Sequence, residues 1–110
     1  MKITDVTGTL VNSGWRKNFL FVKVETDAGI TGWGEAYTQV DRERTVATQV
    51  EELGRYAVGR SPFAIKHFTQ MVYNDFAGRR ASMELASAQS AIEMALWDIV
   101  GRALEQPVYN

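Results

Sequence analysis

At residue 36 the chain changes its period. Up to that point apolar and polar residues alternate, one step in two. Beyond it apolar residues recur every third or fourth position. A period of two lines one face of a strand, and a period near 3.6 lines one side of a helix. Ile3, Val6 and Leu10, with threonines between them, predict a first strand bent near Gly8. Phe19, Phe21, Val22 and Val24 predict a second that ends at Glu25-Thr26. Asp27-Ala28-Gly29 is turn chemistry, because glycine takes the positive φ of a tight hairpin. Ile30 to Ala36 predicts a third strand. In it Gly32 and Gly34 flank Trp33, so the ring takes one face and leaves bare backbone on the other, where another element can approach closely. Short connections make the strands, over about 2–36, an antiparallel meander.

Helices fill about 42–104. Arg42 to Ala57 sets Val46, Val50, Leu53 and Ala57 on one stripe, with Glu51, Glu52 and Arg55 beside it. Ser61-Pro62 is a start signal: serine caps free N–H groups and proline fits a first turn. Ile65, Phe68, Val72 and Phe76 then follow at helical spacing, and Gly78-Arg79-Arg80 interrupts them. A long third helix buries Ala88, Ile92, Ala95, Leu96, Ile99 and Ala103. Gly101 weakens it and Pro107 ends it. Its small residues let it lie close against the meander. Strands first and helices after predict an α+β domain: a three-stranded antiparallel meander followed by a bundle of about three helices, over residues 1–110.

Composition removes several functions. Twelve basic and thirteen acidic residues give a net charge of −1, so no basic field attracts a phosphate backbone and nucleic acid is not an expected partner. There is no cysteine, which excludes a disulfide scaffold and thiolate metal ligation and suits a reducing cytoplasm. Apolar runs such as Phe19 to Val22 are far short of a membrane span. Met1-Lys2 leads straight into the strand pattern without a signal-peptide stretch.

Chemistry is sparse. The connection Val11 to Asn18 holds Trp15, Arg16 and Lys17. Arginine beside an aromatic face can grip a carboxylate through two parallel donors while the ring excludes water. On composition alone, a solvated loop with its Trp folded back on the core is the simpler reading. Tyr37, Thr38 and Gln39 offer hydroxyls and an amide after the third strand, or merely connect to a helix capped by Asp41. Arg79-Arg80 reads first as a solvated charge patch. Glu35 and Asp98 suggest paired carboxylates, but strand-end hydrogen bonding for the first, and a bond to backbone or arginine for the second, explain them better than ligation. His67, the only histidine, has no evident group to orient it as a base. Gly32-Trp33-Gly34 does not open a helix and is no phosphate loop. Trp33, Trp97 and the patterned phenylalanines read as core.

Two stretches together, Gly29-Ile30-Thr31-Gly32-Trp33-Gly34-Glu35-Ala36 and Ser90-Ala91-Ile92-Glu93-Met94-Ala95-Leu96-Trp97-Asp98-Ile99-Val100-Gly101, resemble the N-terminal capping domain of the enolase superfamily. The similarity is to the mandelate racemase and muconate-lactonizing group, on its acid-sugar dehydratase side, and spans nearly the whole chain. It implies a catalytic (β/α) barrel after residue 110, which carries Mg²⁺ and a Lys or His base that abstracts the proton beside a substrate carboxylate. It also implies a sugar-acid substrate, lost water as the usual outcome, and a homo-oligomeric parent. Racemization and cycloisomerization share the first step, and a stand-alone binding module is a further alternative. Under the resemblance Trp15, Arg16, Tyr37 and Arg80 become substrate-side residues, with no catalytic or metal-binding residue in this chain. Ala81 and Ser82 depart from the glycines that relatives often have after the Arg80 position.

Overall fold

A computed structural model describes residues 1–12, 18–36, 43–75 and 83–105. It contains β1 (Ile3–Asn12), β2 (Asn18–Thr26), β3 (Thr31–Ala36), α1 (Glu43–Ala57), α2 (Ile65–Asp75) and α3 (Met83–Leu104). The strands form one antiparallel sheet in the order β1-β2-β3. This is the α+β meander-then-helices arrangement that the change of period predicts.

Leu20, Val22 and Val24 are fully buried on one face of the central strand. Their neighbours Phe19, Phe21 and Lys23 take the other face, as a period of two requires. Ile3 and Val6 both turn toward the core although three positions apart, which a regular strand forbids. A register shift between Ile3 and Asp5 supplies the missing residue. The irregularity therefore sits there and not at Gly8, which pairs in register with Val22.

The β2–β3 turn is tied from both sides. Gly29 has φ 79°, and the Thr26 hydroxyl both donates to the Ile30 carbonyl (2.8 Å) and accepts its N–H (3.2 Å). Lys2 N–H donates to Asp27 Oδ1 at 2.9 Å, which pins the N-terminus to this turn.

Val46, Val50, Leu53 and Ala57 of α1 are buried, as are Ile65, Phe68 and Val72 of α2. The Ser61 hydroxyl accepts the Phe63 N–H at 3.2 Å, so a capped turn comes first and α2 begins at Ile65. Helix α3 buries Ala88, Ala91, Ile92, Ala95, Leu96 and Ile99. The Thr69 hydroxyl reaches the Glu93 carboxylate and links α2 to α3. Leu104 closes α3, and Glu105 turns left-handed at φ 56°. The expected stop at Pro107 lies outside the described residues.

The closest seam joins α3 to β3. A Cβ at Gly32 would stand 2.2 Å from the Ala95 carbonyl oxygen, and one at Gly34 would stand 2.0 Å from that of Ala91. Only glycine fits at either place. The core expectation for the tryptophans is corrected: Trp33 is 50% exposed and Trp97 is 48% exposed. Trp33 is pushed to the open sheet face because its glycine neighbours own the buried one, and Trp97 lies on the side of α3 away from the sheet. Phe19 is exposed for the strand-parity reason already given.

Candidate functional site

Trp15, Arg16, Tyr37 and Arg80 lie outside the described residues. The elements that flank them are described, and their directions decide where those segments start and finish. Asn12 pairs with Asn18, so 13–17 leaves and re-enters at one end of the β1–β2 ribbon. Ala36 pairs with Leu20, two residues along β2 from Asn18, so 37–42 departs from that same end. Gly32 faces Ala95 and Gly34 faces Ala91, so α3 runs antiparallel to β3. The start of α3, where 76–82 arrives, is therefore directed toward the same end of the domain. Gly8 faces Val50 and α1 too begins on that side of the sheet. Three segments far apart in sequence thus attach at one end of the fold.

The other end holds structural contacts. Ile3 N–H donates to the Arg60 carbonyl and Gly59 N–H to the Ile3 carbonyl, both at 2.8 Å. Arg60 Nε donates to the Tyr56 carbonyl at 2.7 Å, and its Nη1 stands 3.4 Å from His67 Nε2. His67 is exposed and sits on this end of the domain. A guanidinium at its ring nitrogen is a poor arrangement for a base.

Glu35 and Asp98 do not converge. Glu35 is exposed beside Phe21 on the open sheet face. Asp98 Oδ2 accepts the Trp33 N–H at 3.0 Å, and Arg102 Nε donates to Asp98 Oδ1 at 3.2 Å. The expected roles for Asp98, backbone and arginine bonding, are both realised. Its carboxylate satisfies a donor on the outer edge of β3 and adds a polar clasp to the glycine seam. Asp98→Ala is expected to lower the unfolding free energy by about 1 kcal/mol, since solvent reaches this bond and replaces part of it. Asp98→Asn, which keeps an acceptor, should cost less. Midpoints of urea unfolding at constant slope would check both.

Among the described residues no three His, Asp or Glu side chains come together. Mg²⁺ asks for several converging oxygens in an octahedron, and the described part of the chain does not fit it. No described helix is long and apolar enough to cross a membrane. What sequence reasoning missed is the exposed apolar surface: Met94, Trp97 and Leu104 on α3, and Trp33 on the sheet. The signal was present as a second 3–4 spacing along α3, which starts beside β3, where the Met94 Cβ would stand 3.1 Å from a Cβ at Gly34.

Comparison with known proteins gives a consistent set of likenesses. Residues 6–110 match the model of the "Mandelate racemase / muconate lactonizing enzyme, N-terminal domain". The chain is 44% identical over 111 residues to a D-galactonate dehydratase of Klebsiella pneumoniae (strain 342), with 100% of this chain and 27% of the relative covered. It thus spans about a quarter of the length of the curated relatives it matches. Among solved structures, a mandelate racemase/muconate lactonizing enzyme from Sulfitobacter sp. superposes with a TM-score of 0.85 at 28% identity, over 99% of this chain and 29% of that one. The 3,6-anhydro-D-galactonate cycloisomerase from Zobellia galactanivorans superposes at 0.85 with 25% identity, over 94% and 29%.

Proposed function

Because the chain belongs to the mandelate racemase/muconate lactonizing enzyme family, as its N-terminal domain, we propose that it is the substrate-selecting lid of a sugar-acid dehydratase. The observation that carries this reading is the attachment of segments 13–17, 37–42 and 76–82 at one end of the fold. The likeness to D-galactonate dehydratases supports a sugar acid of that type as substrate.

The division of labour follows from what the chain holds. It offers binding groups and no acid–base constellation. Arg16 and Arg80 would grip the carboxylate, each able to give two parallel donors. Tyr37 would donate to a hydroxyl of the sugar, and Trp15 would exclude water. Two helix starts, those of α1 and α3, lie on the same side and favour an anion. The sequence puts Glu43 and Glu84 in those first turns, so most of the positive complement falls to the arginines. The base that takes the proton beside the carboxylate, and the Mg²⁺ that supplies charge stabilisation there, belong on this reading to the barrel of the parent. The isolated domain is then inactive, and the parent is a cytoplasmic homo-oligomer. The absence of cysteine from this domain is in keeping with a reducing compartment.

Trp15→Ala and Arg16→Ala in the complete enzyme test the reading. Loss of a charged hydrogen bond or of its dry cover is worth about 1.5–3 kcal/mol, so kcat/KM should fall roughly 10–100-fold for the preferred sugar acid. Unchanged kcat/KM for every accepted substrate would sink the assignment. The cycloisomerase likeness favours a second reading, in which the same first proton abstraction leads to ring rearrangement. Product analysis separates the two, because dehydration yields a 2-keto-3-deoxy acid.

A further inference from the structure

We draw no further inference here: the strongest candidate, the aromatic patch on the open face of the sheet, where the Phe19 and Phe21 ring centroids stand 6.3 Å apart and Lys23 Nζ lies 5.8 Å from the Trp33 ring centroid, carries nothing because nothing in the structure shows what covers it.

Discussion

Gly34→Ala is expected to destabilise the domain by about 3 kcal/mol or more, the range of severe overpacking against unyielding atoms. The added methyl would stand 2.0 Å from the Ala91 carbonyl oxygen and 3.0 Å from its carbon. Those atoms are backbone in the middle of a 22-residue helix, so no rotamer change relieves the clash. Either α3 moves off the sheet or β3 bends away from β2, and both open the core. Gly32→Ala meets the Ala95 carbonyl oxygen at 2.2 Å and should behave alike. Gly29→Ala is the informative control. Its Cβ meets nothing within 4 Å, so only the positive φ is penalised, at about 1 kcal/mol. Urea unfolding followed by far-UV circular dichroism would rank the three. Equal losses at Gly34 and Gly29 would show that the seam is looser than described.

The second large effect is expected at Ile92. Its side chain is fully buried in the cluster that joins α3 to Leu20, Val22, Val50 and Leu53. Truncation to alanine removes three carbons where strands and helices surround the gap, and the cost is about 2–5 kcal/mol depending on how far the site collapses. Leu104→Ala, on the same helix but 59% exposed, should change the stability of the isolated chain by less than about 0.5 kcal/mol. A comparable loss at both positions would contradict the burial pattern.

The same contrast shows what could be read in the residues beforehand. Periodicity alone separated strands from helices, and the paired glycines around Trp33 foretold a close approach on one face. The helix that uses that approach was identifiable from its small residues. Burial of Trp33 and Trp97 was misjudged because a large apolar side chain is only favoured inside, not obliged to be there. Patterning tells which residues share a face, and the competing claim of Gly32 and Gly34 on the inner face decided which face the ring received. Ile3 and Val6 held a legible clue to the strand irregularity, since an odd spacing of two inward residues needs an extra one between them. The assignments of Trp15, Arg16, Tyr37 and Arg80 rest on chemistry and resemblance, and these residues lie outside the described ones. Those stretches have no apolar period, so nothing in their own sequence says that the elements flanking them point to one end. That follows from the antiparallel registers and from the direction of α3, which no short stretch of sequence contains.

The seam between β3 and α3 also sets a timetable. The strand is complete when Ala36 has been made, but the backbone that seats on its glycines belongs to Ala91 and Ala95. At a synthesis rate of about 5–20 residues per second, the intervening stretch takes roughly 3–11 seconds to emerge. For that interval the nascent sheet lacks its principal cover, while α1 is already available to shield β1. Substitutions that slow closure of the seam should therefore reduce the yield of folded product in the cell more than their melting temperatures suggest, and a chaperone that holds hydrophobic strands should restore it.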